Sequence, residues 1–346
     1  MYFHIKYEIH TKFGLEGSIF MSYLVTGGTG FIGKRVVNQL LNKGIKVVSA
    51  DIDIKNNRDP FEYYLSQKKT KTNYLKLCEL DISSKEEIKK IISNNKISHI
   101  IACGYQMSNM IDSNPVKGAE INIVGMTNLF QSVVDFKLQR LVFPSSQSVY
   151  GTSSEIYNNK PIKEDDYCGL QHQLFTYAVM KLLNEFMAKK YVLANDVSIA
   201  CTRPSVVFGY GRKRSSLMWA EEFATKPALG EDLNLPFSEK NKDSFIYVED
   251  CAEQLIELSL KDKLNHFVYN TGTETASGTE LKKIIKSLVP NATINFDENG
   301  KPTPFIDYQD DTRIRKELSF IPRTLKEGIR EHMNEARLDH GLELLS

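Results

Sequence analysis

No apolar run in these 346 residues approaches the roughly 20 consecutive positions that a membrane-spanning helix needs, so no membrane partner is expected. Lys6, Glu8, Lys12 and Glu16 interrupt the stretch where a secretory leader would need an unbroken apolar core. Cysteine is sparse. Cys78, Cys103, Cys168, Cys201 and Cys251 are odd in number, widely spaced and form no CxxC pair. This argues against a disulfide framework or a zinc site and points to reduced thiols in the cytoplasm. The seven histidines form no HExxH and pair with no cysteine, so no metal is expected. An excess of one charge is also missing: the formal net charge is +1. Neither nucleic acid nor an anionic membrane surface is therefore an expected partner. The one basic cluster, Gly211-Arg-Lys-Arg214, reads as a solvated loop.

What is present is alternation. Short β-rich apolar runs at 22–26, 46–51, 74–78, 98–103, 140–145 and 198–203 are separated by helix-like stretches at 31–43, 84–94, 117–137 and 174–194. That order predicts an α/β fold, a Rossmann-type doubly wound parallel sheet. Gly44 fits a helix C-cap, and Asp81-Ile-Ser-Ser84 a cap before the next helix. Beyond about residue 210, Pro227, Gly230, Pro236, Gly272, Gly278, Pro290 and Pro304 break the chain into short pieces. We therefore expect residues 1–20 to be an N-terminal extension or a docked strand. Residues 21–205 are expected to be the dinucleotide-binding domain carrying the catalytic residues. Residues 206–346 are expected to form mainly a smaller, irregular C-terminal substrate lobe, with some segments returning to the first domain.

Gly27, Gly30 and Gly33 are spaced GxxGxxG between a strand and an amphipathic helix. The first permits a tight turn, the second lets backbone approach a pyrophosphate, and the third allows close helix–strand packing at a helix N-terminus. Asp51 ends the second strand, 18 residues past Gly33. A carboxylate there accepts hydrogen bonds from ribose hydroxyls and repels a 2′-phosphate, which favours NAD over NADP. Asp53 is a second candidate, with Lys55 and Arg58 as opposing cations. Tyr177 and Lys181 form a YxxxK pair in a helical stretch, so phenol and ammonium share one helix face. A nearby cation favours the phenolate. Upstream, Leu141-Val-Phe-Pro-Ser-Ser-Gln-Ser-Val-Tyr-Gly151 is a strand ending in small hydroxyl residues, where a parallel sheet presents its ligands.

On these motifs the chain resembles the extended short-chain dehydrogenase/reductase family, the NAD-dependent epimerases and dehydratases, over about residues 21–330. Further matches are Leu80-Asp81-Ile82, Asn122-Ile-Val-Gly125, Pro161-Ile-Lys-Glu164, Arg203 to Gly209, Phe245 to Asp250, Tyr269-Asn270-Thr-Gly272 and Leu325-Lys-Glu-Gly328. The resemblance implies that Gly27, Gly30, Phe31, Ile32 and Gly33 hold the pyrophosphate region and Asp51 the adenosine ribose. Asp81 and Ile82 would flank the adenine, and Ala102, Cys103 and Gly104 would line the cofactor. Asn122 would stand near the active site and Pro204 against the nicotinamide. Ser146, Tyr177 and Lys181 would be catalytic. Ser146 would hold the substrate oxygen and Tyr177 would exchange its proton. Lys181 would bind the nicotinamide ribose and bias Tyr177 toward phenolate. A homodimer through the helices matching 117–137 and 174–194 is implied as well.

The expected activity is an NAD-dependent oxidoreductase of this family, transferring a hydride between NAD and a secondary alcohol or ketone. Gln147 and Ser148 follow Ser146 where the family's dehydratases and decarboxylases carry an acid, which argues against elimination of water. Val206 replaces an asparagine that contacts nucleotide sugars in the epimerases, and Asp243 replaces an arginine that pairs with a diphosphate. A carboxylate in that place repels phosphate, although Lys242 or Arg212 offers a nearby cation. We therefore expect a small sugar-like or other hydroxy substrate. The alternative is a UDP-glucose-type nucleotide-sugar 4-epimerase. A non-catalytic NAD-binding sensor stands third.

Overall fold

The computed structural model describes residues 21–212, 217–272 and 274–346, so the N-terminal extension, Lys213 and Arg214 lie outside the described residues. The strands are β1 (Ser22–Thr26), β2 (Lys46–Asp51), β3 (Leu75–Glu79), β4 (His99–Ala102), β5 (Arg140–Pro144), β6 (Ile199–Pro204), β7 (Val206–Phe208), β8 (Leu233–Leu235), β9 (Lys242–Tyr247), β10 (Val268–Thr271), β11 (Glu274–Ser277) and β12 (Ile294–Phe296). Seven of them form one parallel sheet in the order β10-β6-β5-β4-β1-β2-β3. The first six therefore follow the doubly wound order, with the reversal between β1 and β4. Side chains of β1, β5 and β6 are buried along their whole length, as a sheet covered on both faces requires.

The helices are α1 (Gly33–Asn42), α2 (Ile54–Gln67), α3 (Lys85–Asn95), α4 (Ser108–Ser113), α5 (Pro115–Ala119), α6 (Met126–Asp135), α7 (Thr176–Asn195), α8 (Trp219–Ala228), α9 (Val248–Leu260), α10 (Gly278–Leu288), α11 (Thr312–Leu318) and α12 (Leu325–Asp339). Val36, Val37, Leu40 and Leu41 of α1 pack with Leu255, Ile256 and Leu258 of α9 on one face of the sheet. Leu129, Phe130 and Val133 of α6 pack on the other with Ile88 and Ile92 of α3. α3 starts where Ser84 accepts a hydrogen bond from the Glu87 amide at 3.3 Å, and Glu86 and Glu87 in its first turn suit the positive end of the helix.

The single helix read over 117–137 is instead α5 and α6 joined by a wide π turn, Glu120–Gly125. The sequence pattern predicts no helix over 54–67, where α2 forms. β10 and α9 rejoin the first sheet from beyond residue 206, whereas β11, β9 and β7 form a separate three-stranded sheet and β12 pairs with β8. A second core centred on Phe208, Trp219, Phe223, Phe237 and Phe245 sits under that sheet. No helix among the described residues is long and apolar enough to cross a membrane.

Candidate active site

A cleft of about 1210 Å³ opens at the carboxyl ends of β1, β2, β4, β5 and β6. β1 ends at Thr26, and Gly27 turns the chain with φ +62°, a conformation that disfavours side chains. A Cβ on Gly27 would lie 2.6 Å from the Gly104 amide nitrogen, and one on Gly33 would lie 2.1 Å from the Gly27 carbonyl oxygen. Gly28, which the GxxGxxG reading passed over, is equally constrained: its Cβ would meet Ser49 Oγ of β2 at 2.3 Å. The loop delivers the amides of Phe31 and Ile32 to the start of α1, and neither donates to an acceptor among the described residues. Free N–H groups at a helix N-terminus are what an anion needs.

Asp51 lines the cleft at the end of β2. Its Oδ2 accepts from the Thr29 amide (3.2 Å) and the Thr29 hydroxyl (2.5 Å), and its Oδ1 from the Ile52 amide (2.9 Å). Asp53 instead caps α2 through the Asn56 amide at 3.3 Å. Asp81 and Ile82 line the same cleft. Burial pushes the Asp81 carboxyl up, but bonds from Ser83 and the nearby Lys117 ammonium outweigh it and hold it below the usual range. Cys103 and Gly104 line the cleft too, whereas Ala102 is buried in the sheet core. Asn122 is fully buried and does not face the cleft. It clamps the loop after β4, accepting from the Gln106 amide at 2.8 Å and donating to the Gln106 carbonyl at 3.1 Å. The free amides of the glycine loop and the carboxylate held at the end of β2 fit a dinucleotide.

Ser146, Tyr177 and Lys181 converge on the other side of the cleft, with Pro204 beside them. β5 ends at Pro144, and Ser146 begins a short turn with its Oγ accepting from the Ser148 amide (3.1 Å) and hydroxyl (2.8 Å). The Tyr177 phenol faces the same cleft. Burial pushes that phenol up to about 12, against the pull of Arg212 and Ser146. Lys181 is buried and donates to the Pro144 carbonyl at 2.6 Å. Its burial brings the ammonium down to about 7, opposed by Cys103, Cys201 and Glu185. Its Nζ lies 5.5 Å from the centre of the Tyr177 ring. Arg212 departs from the solvated loop expected for it: it turns into the cleft, donates to the Val207 carbonyl and lies 5.9 Å from the Phe31 ring centre.

Beneath these groups runs a buried network whose key acid the motif reading missed. Glu185 accepts from Arg203 Nη2 at 2.6 Å and from Ser145 Oγ at 2.5 Å. Arg203 Nη1 donates to the Tyr150 hydroxyl at 2.7 Å, and that hydroxyl donates to Asn270 Oδ1 at 2.7 Å. The signal for Glu185 was its place four residues past Lys181, the next turn of the same helix face. At the substrate end, Val206 is buried and lines the cleft, but Asp243 does not reach it. The Asp243 carboxylate accepts from Asn241 Nδ2 (2.7 Å) and Thr303 Oγ1 (2.8 Å), and Lys242 beside it is exposed. These bonds tie β9 to segment 300–307, which presents Pro304 and Phe305 to the cleft; Phe305 stacks on Phe175 just before α7.

A doubly wound sheet, an anion-ready glycine loop and a serine–tyrosine–lysine group in one cleft define a dinucleotide-dependent enzyme of the short-chain dehydrogenase/reductase kind. The model of the NAD dependent epimerase/dehydratase family matches residues 23–272. The chain belongs to that family. Among curated relatives, a UDP-glucuronate 4-epimerase of Thermodesulfobacterium geofontis is 26% identical, covering 90% of this chain and 95% of the relative. Among solved structures, UDP-glucose 4-epimerase from Thermotoga maritima with UDP-glucose superposes with a TM-score of 0.77 at 21% identity, over 92% of this chain and all of that one. An L-threonine dehydrogenase from Cupriavidus necator superposes with a TM-score of 0.75 at 17% identity, over 91% and 99% of the two chains.

Proposed function

We propose that this enzyme oxidises and reduces a secondary alcohol or ketone of a small hydroxy compound, with Ser146, Tyr177 and Lys181 as its working residues and NAD rather than NADP as its cofactor. Gly27, Gly30, Phe31, Ile32 and Asp51 would hold the dinucleotide, with Asp81, Ile82, Cys103 and Gly104 beside it. NAD, when bound, supplies the hydride acceptor and donor. Ser146 orients the substrate oxygen by hydrogen bonding. Tyr177 takes the hydroxyl proton on oxidation and returns it on reduction. Lys181 contributes the positive charge that favours the phenolate. Asp51 supports NAD, because a carboxylate held there by Thr29 repels a 2′-phosphate.

One observation carries the choice of a small substrate. The position where the nucleotide-sugar epimerases pair an arginine with diphosphate is a buried carboxylate, Asp243, held away from the cleft by Asn241 and Thr303, so that position offers a diphosphate no cation. The likeness to an L-threonine dehydrogenase supports the same reading. The likeness to UDP-glucose 4-epimerase supports the second one, a nucleotide-sugar epimerase. We further expect a homodimer, since Val124, Leu183 and Phe186 leave apolar surface exposed on the π turn and α7. The five unpaired cysteines support a reducing compartment such as the cytoplasm.

The test is purified protein with NAD against a panel of hydroxy acids, hydroxy amino acids and free sugars, with UDP-glucose alongside. NADH formation with a small compound, lost in Tyr177→Phe while NADH binding persists, is the expected result. Interconversion of UDP-glucose and UDP-galactose at an ordinary enzymatic rate overturns the small-substrate reading. Turnover retained by Tyr177→Phe removes that residue from its role. Sedimentation as a monomer at micromolar concentration rejects the dimer.

A further inference from the structure

Lys181 is a buried cation with little to hold it. Among the described residues its one hydrogen-bond acceptor is the Pro144 carbonyl at 2.6 Å, and no carboxylate pairs with it. Glu185, the nearest acid by electrostatic influence, is committed to Arg203 and Ser145. The other titratable groups that face the ammonium are the thiols Cys103, just after β4, and Cys201 in β6, and the phenols Tyr105 and Tyr177, all pushed up by burial and so neutral. An unpaired ammonium out of water sheds its proton unless something else stabilises the charge.

One group on the loop after β4 meets that need. The Lys181 Nζ stands 3.5 Å from the centre of the Tyr105 ring, close enough for a strong cation–π contact. The same ring meets Tyr177 in a T-shaped contact, with centres 5.5 Å apart and planes at 89°. The ring is fixed at its far end, where the Tyr105 hydroxyl accepts from Asn184 Nδ2 at 3.1 Å. Asn184 is itself anchored, donating to the Asn122 carbonyl at 2.9 Å. Asn122 in turn clamps the backbone at Gln106, the neighbour of Tyr105. One aromatic ring thus touches both members of the YxxxK pair, and the fold locks it from three sides.

We propose that Tyr105 is the positioning residue of this site: its face carries the Lys181 ammonium, its perpendicular contact sets the Tyr177 ring, and Asn184 holds it in place. The inference rests on the assignment of Tyr177 and Lys181 made above, and its test does not depend on turnover. The ring's quadrupole, not its hydroxyl, does the stabilising, so Phe is expected to substitute and an aliphatic residue is not.

The experiment follows the titration of Lys181 by NMR in protein carrying ¹³C-labelled lysine. Exposed lysines titrate near 10.4, so a buried lysine that titrates lower stands apart, and Lys181→Met identifies the signal by its loss. Wild type, Tyr105→Phe and Tyr105→Leu are compared, with circular dichroism and NADH binding to verify that each is folded. The expected result is that Tyr105→Phe titrates as wild type while the midpoint in Tyr105→Leu falls by about one pH unit. The proposal is overturned if Tyr105→Leu titrates as wild type, or if Tyr105→Phe falls as far as Tyr105→Leu. If Tyr105→Leu is unfolded, Tyr105→Met, which keeps bulk without an aromatic face, replaces it under the same criterion. Once a substrate is in hand, the alkaline limb of the kcat profile should move down with the Lys181 midpoint. A shift of the midpoint without any change in turnover would leave Tyr105 in its place and remove Lys181 from the proposed function.

Discussion

Two glycines of the loop can be separated by what each is for. A Cβ on Gly33 would lie 2.1 Å from the Gly27 carbonyl oxygen, with Gly27 C at 2.8 Å and Gly28 Cα at 2.9 Å. All three are backbone atoms, so no side chain can yield, and an ordinary contact needs a shift of about 1 Å or more. Overpacking of this kind costs about 1–3 kcal/mol, and the helix-propensity gain of at most about 1 kcal/mol is smaller at the first position of α1 than inside it. Gly33→Ala is therefore expected to lower Tm by several degrees. The displaced turn also moves the amides offered to pyrophosphate, so NADH affinity should fall at least about tenfold, or 1.4 kcal/mol. Gly30→Ala differs. Its Cβ would meet only the Gly27 carbonyl oxygen, at 3.1 Å, and Gly30 lines the cleft. Tm should stay within about a degree of wild type while NADH affinity again falls about tenfold or more. Differential scanning calorimetry and NADH fluorescence titration give both numbers. Gly33→Ala with unchanged Tm and affinity would refute the packing argument. Gly30→Ala with wild-type affinity would show that the cofactor does not approach the loop at that point.

Glu185→Gln leaves Arg203 as a buried, uncompensated charge, both partners being about 6% exposed, and should cost about 3–5 kcal/mol in denaturant unfolding; a loss below about 1 kcal/mol would mean that Arg203 finds another partner. His332 is fully buried against Thr225 Oγ1 at 2.9 Å, and burial brings it down to about 3 from an ordinary 6.5. Its native form binds fewer protons than the unfolded chain between those values, so its contribution is present above pH 6.5 and is lost as pH falls toward 3. His332→Gln should flatten the fall of Tm between pH 6.5 and 4, and an unchanged slope would place acid sensitivity elsewhere.

The cofactor half of the cleft was largely legible because it is built from periodicity and backbone. The runs 22–26 and 46–51 coincide with β1 and β2, and 74–78 lies one residue from β3. Residues 52–70 gave no helix signal because Pro60 sits inside α2 and only Phe61, Tyr64 and Leu65 of that helix are buried. The π turn could not be read either, since 117–137 keeps its apolar period through it. Its physical effect is local: it turns Asn122 inward and leaves the Asn122 carbonyl free to accept from Asn184. Tyr105 had no motif at all. Its role follows from the packing of a loop against α7, which no spacing in one segment encodes. Asp243 was legible as a departure from the epimerase pattern, but its partner Thr303 is 60 residues away.

That long-range tether carries a pH dependence of opposite sign to His332. Burial raises the Asp243 carboxyl to about 7 from an ordinary 3.8, against bonds from Thr303 and Asn241 and with Asp307 adding to the rise. The native state therefore binds more protons than the unfolded chain between those values, so the contribution of Asp243 is fully present below about 3.8 and is lost as pH rises through 7. What is lost acts on segment 300–307, because Asn241 Oδ1 also accepts from the Thr303 amide at 2.9 Å, and the other end of the segment is held separately by the Asp307 carbonyl on Ser244 at 2.9 Å. The expected result is faster hydrogen exchange of the 301–306 amides at pH 8 than at pH 6, after correction for the intrinsic rate, with the Asp307 end unaffected. Asp243→Asn, which cannot ionise, should remove the pH difference. Equal protection at the two pH values in the wild type would separate the charge of Asp243 from the order of the wall that Pro304 and Phe305 present to the substrate.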